Sequence, residues 1–311
     1  MAPNFLIVGE RRSGTTTLAH WVRNHPDIYL HPTIDMGYFV DDELVGSRTY
    51  KVGKVDQAKW YSSHSKSEYE SFFEEGISAD AIGEKSADYL FLDQCHERIK
   101  SYYPGMKLVV ILRNPIDRAW SMYWNEVGKG REHLSFEDAL KAEEKRIAES
   151  DYARDHLSYF SRGMYASSLK KLFEVFNRNQ VHIVLLNSLT ENPVRDLKEL
   201  YVFLGVDPDK GLVESGKRLN KNWTVVPRAF VQKSRLLTGL DKLYYRGLNK
   251  GVRLLPYDNY QKRQIIVKLS APFREHKVNA SMHLETRAWL SSRYAKYNEE
   301  LEDLLGKKIA W

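Results

Sequence analysis

An apolar run, Phe5-Leu6-Ile7-Val8, leads straight into Gly9-Glu10-Arg11-Arg12-Ser13-Gly14-Thr15-Thr16-Thr17 and then into the helix-forming Leu18-Ala19-His20-Trp21-Val22. The pattern is that of a buried strand, a tight turn and a helix. Gly9 and Gly14 free the backbone so that successive N–H groups can converge on an anion at the helix N-terminus. The segment is a phosphate-binding loop, and Arg12 is its candidate cation.

A second segment of the same kind begins at Lys107. Lys107-Leu108-Val109-Val110-Ile111-Leu112 reads as another buried strand, followed by Arg113-Asn114-Pro115 and a helix to about Asn125. Asn114 suits an N-cap and Pro115 the first helical position. Arg113 then leaves the carboxyl edge of a strand, where open α/β sheets bind ligands, and Ser121 lies in the helix that follows. Further strands are expected near residues 80–84 and 181–186, with helices around 15–24, 92–101, 115–127, 136–148 and 164–177. Strands alternating with helices predict an α/β fold, a P-loop-like three-layer sandwich with a mainly parallel central sheet. Leu290, Tyr294, Tyr297, Leu301 and Leu304 follow three- and four-residue steps, which predicts an amphipathic C-terminal helix packed on the body.

Gly9 and Gly14 have the spacing of the nucleoside-triphosphate loop G-x-x-x-x-G-K-[ST], but Thr15 stands where that loop needs its lysine. The basic residue is displaced to Arg12, and a basic residue followed by Ser-Gly-Thr-Thr resembles the 5′-phosphosulfate loop of sulfotransferases that use 3′-phosphoadenosine 5′-phosphosulfate (PAPS). Arg113 to Ser121 is similar to that family's 3′-phosphate motif. Gly83-Glu84-Lys85-Ser86-Ala87-Asp88-Tyr89-Leu90 resembles the Glu-Lys-Ser segment of heparan-sulfate-type and bacterial members. Ser135 to Leu140, Arg162-Gly163-Met164-Tyr165, Phe203 to Val206 and the ending Leu304 to Trp311 match further landmarks.

The resemblance implies PAPS as donor, adenosine 3′,5′-bisphosphate (PAP) as product, and no metal. It places Arg12, Ser13, Gly14, Thr15, Thr16 and Thr17 on the 5′-phosphosulfate and Arg113 and Ser121 on the 3′-phosphate. Tyr165, Lys217 and Arg218 are assigned to the donor as well. Arg12 would stabilise the leaving phosphate by preorganised charge. Arginine is not deprotonated in proteins, so Arg12 would not donate a proton. Glu84 is the expected base, with His20, His25, His31 and His64 as other proton acceptors. Asp35, Tyr38 and Tyr89 are assigned to the acceptor, a small molecule bearing a hydroxyl or amine. The form of the loop resembles bacterial tailoring sulfotransferases, including those acting on guanidinium alkaloids, and a carbohydrate is the alternative acceptor.

The 311 residues, 42% of them hydrophobic, suffice for one sulfotransferase domain over 1–311. Cys95 is the single cysteine, which fits a reducing compartment, and no apolar run approaches the roughly 20 residues of a membrane span. A cytoplasmic enzyme with no membrane and no nucleic-acid partner is expected. The net charge of +6 is unevenly spread: Lys217 to Lys268 holds 13 Lys or Arg against Asp241 and Asp258, a basic flank or lid for a polyanionic donor. Asp35 and Asp41-Asp42-Glu43 form an acidic rim suited to a neutral or cationic acceptor. A P-loop kinase, which should have the missing lysine, and a nonenzymatic polyanion-binding protein are the readings from other classes.

Overall fold

In a computed structural model of the chain, the described residues are 1–40, 65–129, 131–212, 226–227, 274–275 and 281–311. Their centre is a five-stranded sheet of β1 (Phe5–Gly9), β2 (Ile28–Ile34), β3 (Ala81–Lys85), β4 (Lys107–Leu112) and β5 (Val181–Leu185). The order is β2-β3-β1-β4-β5, with every neighbouring pair parallel. β1 and β4 are continuous apolar runs because both faces of the sheet are covered. Leu6, Val8, Leu108 and Val110 enter one apolar layer, while Phe5, Ile7, Val109 and Ile111 enter the other. Each such side chain, once buried, contributes about 1.5–3 kcal/mol relative to exposure.

The helices, in chain order, are α1 (Thr15–Val22), α2 (Lys66–Ser71), α3 (Gln94–Tyr102), α4 (Pro115–Gly128), α5 (Phe136–Glu149), α6 (Asp151–His156), α7 (Tyr165–Val175), α8 (Leu186–Glu191), α9 (Pro193–Leu204) and α10 (Leu284–Leu305). α3 and α7 supply Ile99, Leu169 and Leu172 to the first layer; α1 and α9 supply Leu18, Leu197 and Leu200 to the second. A third apolar cluster joins α4, α5 and α6 to Leu290 and Tyr294 of α10, and Leu301 of α10 reaches the first layer. No helix among the described residues is long and apolar enough to cross a membrane.

The strands expected between 5 and 186 and the helices expected between 15 and 177 appear within one or two residues of their predicted bounds, the C-terminal helix expected over 284–311 ends at Leu305, and the α/β class with a parallel sheet holds. β2 was not expected. It contains Pro32, which lacks a backbone N–H, and it is tolerated because β2 lies at the sheet edge. Lys217, Arg218, most of the basic 217–268 stretch, Asp41-Asp42-Glu43 and His64 lie outside the described residues.

The strand order positions the site. β1 connects to β2 at one edge, and the chain crosses from β3 to β4 on the other side of β1. The direction of winding reverses between β1 and β4, so a crevice opens outside their carboxyl ends. Arg12 follows β1 and Arg113 follows β4.

Candidate active site at the carboxyl ends of β1 and β4

The loop after β1 is built around its own backbone. The Glu10 N–H donates to the Ile111 carbonyl at 2.9 Å, and the Ser13 N–H donates to the Glu10 carbonyl at 3.1 Å. Arg12 has φ 66° and Gly14 φ 95°, both left-handed. Gly14 also has no room for a side chain, since a Cβ there would lie 2.7 Å from Leu186 Cδ1. Gly14 is the N-cap of α1, so the N–H groups of the first turn face the crevice without intrahelical partners. Ser13 and Thr15 are buried; the Ser13 N–H is already given to Glu10, and what Thr15 offers an anion is its backbone N–H, while Thr16 is exposed and Thr17 half-buried.

The second strand end meets this loop directly. Arg113 Nη1 donates to the Arg12 carbonyl at 3.2 Å, and Arg12 Nε donates to Ser121 Oγ at 3.0 Å. Arg12 also reaches Asn125 Oδ1 at 3.4 Å, a residue the sequence motifs did not single out. The direction of α4 is set by its cap, with Asn114 Oδ1 accepting from the N–H groups of Ile116 at 2.9 Å and Asp117 at 3.3 Å. Arg12 keeps solvent-exposed surface, yet the protein around its guanidinium and the adjacent Arg113 cation hold its pKa below that of a free guanidinium. Among the described residues no carboxylate forms an ion pair with Arg12. Two neighbouring cations above a helix N-terminus make a site for an anion with more than one charge.

Tyr165, expected on the donor, stands behind the loop. It is buried, its hydroxyl donates to the Arg113 carbonyl at 2.8 Å, and burial pushes its pKa up to about 12. It thus lies between the Arg113 backbone and the Ser13 side chain of the β1 loop. A charged layer the motifs missed lies under the loop. Arg162 is fully buried and donates to Glu10 Oε1 at 2.8 Å and Asp88 Oδ1 at 2.9 Å, while Arg11 pairs with Asp88 Oδ2. Although burial alone would raise the Asp88 pKa, Arg11 and Arg162 hold it well below the usual carboxylate range. The signal in the sequence was an unusually charged loop, Glu10-Arg11-Arg12, with no partner in sight.

The acceptor-side assignments divide. Glu84 lies in β3 with no exposed surface; Oε1 accepts from Tyr89 at 2.9 Å and Tyr69 at 3.1 Å, and Oε2 from Ser86 at 2.8 Å. Burial raises its pKa to about 7 despite these hydrogen bonds. Three hydroxyl donors thus enclose the carboxylate that the sequence offers as base. Tyr38 and Tyr89, expected at the acceptor, are buried as well. Tyr38 stacks on Tyr69 with ring centroids 4.0 Å apart and is 4% exposed, and Tyr89 is fully buried. Both belong to the aromatic core around Phe39.

Asp35 keeps exposed surface beyond the carboxyl end of β2. It follows β2 with φ 58°, its N–H donates to the Lys85 carbonyl at 2.8 Å, and its side chain is 49% exposed. Oδ1 accepts from Lys85 Nζ at 2.7 Å and the Ala87 N–H at 3.0 Å. Lys85 itself is buried, and the Asp35 charge is felt at Arg11, next to the donor cation. Among the histidines, His25 is buried with Nε2 2.8 Å from the Asp207 carbonyl, and His31 packs against Phe72 and Phe73. His20 is exposed on α1.

A sequence profile described as the Sulfotransferase family matches residues 3–210. The chain is 27% identical over 289 residues to bifunctional heparan sulfate N-deacetylase/N-sulfotransferase 4 of Mus musculus, covering 90% of this chain and 29% of that protein. It is 28% identical over 215 residues to the Homo sapiens N-deacetylase/N-sulfotransferase 3, covering 66% of this chain and 22% of that protein. The chain thus spans less than a third of the length of these relatives. A crystal structure of a sulfotransferase from Alicyclobacillus acidocaldarius superposes with TM-score 0.67 at 24% identity, over 99% of this chain and 98% of that one, a likeness of fold. The profile match takes in the β1 loop, the β3 segment and the Arg113–Ser121 run together, and on that basis the chain belongs to the sulfotransferase family.

Proposed function

We propose that the chain transfers a sulfuryl group from PAPS to a hydroxyl or amine of a small-molecule acceptor. The observation that carries this reading is the meeting of Arg12, Arg113 and the first-turn N–H groups of α1 at one point of the sheet edge, with Ser121 beside them. A donor with phosphate groups at both the 3′ and 5′ positions of its ribose fits two such cations. Arg12 and the N–H groups of residues 14–17 would hold the 5′-phosphosulfate, and Arg113 with Ser121 the 3′-phosphate, joined by Lys217 and Arg218. When bound, PAPS supplies an activated sulfuryl group whose leaving group is PAP.

Arg12 then stabilises charge developing on the leaving oxygen and keeps its own proton at neutral pH. Proton removal from the acceptor falls to Asp35, the exposed carboxylate at the same edge, held in place by Lys85. Glu84 acts indirectly, by ordering Ser86, whose hydroxyl also accepts from the Gly37 N–H at 2.9 Å on the segment that carries Asp35. A second acceptor class, a carbohydrate amine, is favoured by the likeness to N-sulfotransferases of heparan sulfate. A guanidinium alkaloid remains within the first class. Cys95, the single cysteine, is buried, and one cysteine suits a cytoplasmic setting.

Calorimetry with PAP tests the donor site. Wild-type protein should bind PAP far better than adenosine 5′-phosphate, and Arg113→Ala should weaken PAP by about 10–100-fold, the worth of roughly 1.5–3 kcal/mol for a lost charged hydrogen bond. Equal binding of the two nucleotides to the wild type would refute the assignment. A mass-spectrometric screen for PAPS-dependent gain of one sulfuryl group, over libraries of small molecules and amino sugars, decides the acceptor.

A further inference from the structure

Glu10, Arg11, Asp88 and Arg162 close a ring beneath the donor loop. Arg162 donates from Nη1 to Glu10 and from Nη2 to Asp88; Asp88 accepts from Arg11; and the Arg11 N–H returns to Glu10 Oε1 at 2.7 Å. The Arg162 guanidinium lies over the Phe91 ring, 4.2 Å from its centroid, which holds the fork in one plane. Three residues on, the Tyr165 hydroxyl holds the Arg113 carbonyl. Residues 162–165 therefore hold the β1 loop through the Glu10 carboxylate and the end of β4 through the Arg113 carbonyl.

Stability alone does not account for such a ring, because buried ion networks are often no more stabilising than apolar packing of the same volume. Geometry does. Arg12 has a left-handed backbone, costly for a residue with a side chain and kept only where the surroundings over-determine it. The two residues before it are the ones pinned, Glu10 through its carboxylate and Arg11 through both its N–H and its guanidinium. Arg162 is the member that joins the two carboxylates.

We infer that Arg162 is a positioning residue for sulfuryl transfer. By bridging Glu10 and Asp88 it fixes the β1 loop so that Arg12 and the N–H groups of α1 meet the donor in register with Arg113. The inference rests on the donor-site reading proposed above. A lysine at 162 keeps the charge but has no planar fork with which to bridge two carboxylates. The loop would then relax, and displacement of a reacting group by about 1 Å costs on the order of 10²-fold in rate.

The test is turnover at saturating PAPS, well below the melting temperature, for Arg162→Lys and Glu10→Gln, with PAP affinity and Tm measured on the same samples. A fall in kcat of about 10²-fold, exceeding the fall in PAP affinity, is expected for Arg162→Lys. Partial recovery of kcat in Arg162→Ala on adding guanidinium ion is expected as well. A folded Arg162→Lys with wild-type kcat and only a lower Tm would overturn the inference. Should Arg162→Lys not fold, the nearly isosteric Glu10→Gln decides: a reduced kcat supports positioning and an unchanged kcat overturns it. Failure of the wild-type protein to bind PAP would instead sink the donor-site reading, leaving the two failures distinguishable.

Discussion

Replacing Glu84 by glutamine should stabilise the protein above neutral pH and leave turnover largely intact. Burial displaces the Glu84 pKa from 4.5 to about 7, with hydrogen bonds from Ser86, Tyr89 and Tyr69 opposing the rise. At roughly 1.36 kcal/mol per pH unit, that displacement is worth about 3 kcal/mol. The sign follows from proton binding. Between pH 4.5 and about 7 the folded protein holds a proton on Glu84 that the unfolded chain has released. The stability conferred by the neutral form is thus complete below about pH 4.5, declines as pH rises, and is lost above about pH 7. Glutamine is neutral throughout and has no such decline. Its amide N–H groups now face hydroxyls that donated to a carboxylate, so one hydroxyl must turn and accept, at a cost of about 1 kcal/mol. The variant should therefore be more stable by about 2 kcal/mol at pH 8, with the advantage shrinking toward pH 5. Urea unfolding of both proteins at several pH values from 5 to 8.5 measures the difference. Parallel stability curves would refute the burial argument. A rate loss of about 10²–10⁴ in a stable Glu84→Gln would return Glu84 to the role of base.

Two other substitutions probe the chemistry. Arg12→Ala should lower kcat much more than it weakens PAPS binding, because charge on the leaving oxygen develops in the transition state; a raised KM with unchanged kcat would assign Arg12 to binding alone. Asp35→Asn should keep PAP affinity while losing about 10²–10⁴ in rate, and the acid limb of the pH–rate profile should vanish with it. An acid limb that survives in Asp35→Asn would send the search for the base to the exposed His20.

The donor half of the site was legible in the chain because each part is contiguous. A strand, a turn freed at Gly14 and a helix N-terminus fall within residues 5–22, and the strand, cap and helix that present Arg113 fall within 107–128. Short-range hydrogen bonds and caps decide such segments, so local residue types suffice to read them. Ser121 was placed by the same means, eight residues along a helix whose start Asn114 and Pro115 announce. β2 escaped notice because its Pro32 and His31 break the apolar pattern, and only its place at the sheet edge makes proline admissible.

The acceptor half was decided by tertiary structure. Glu84 and Asp35 are both carboxylates a few residues ahead of a tyrosine in the sequence, and nothing local says which is enclosed. The face of β3 that Glu84 occupies turns toward Tyr69 and Tyr89, while Asp35 emerges past the end of β2. Likewise Arg162 finds Glu10 across 152 positions of chain, a pairing that exists only once the turn before α7 packs under the loop. By itself the sequence determined the parallel α/β framework, the strand-turn-helix of the β1 loop and the strand ends that carry Arg12 and Arg113, since periodicity, glycine placement and helix capping act over a few residues. Which carboxylate is enclosed and which arginine bridges Glu10 and Asp88 depended on long-range packing, because burial and charge pairing are properties of side chains that neighbour one another only in the fold.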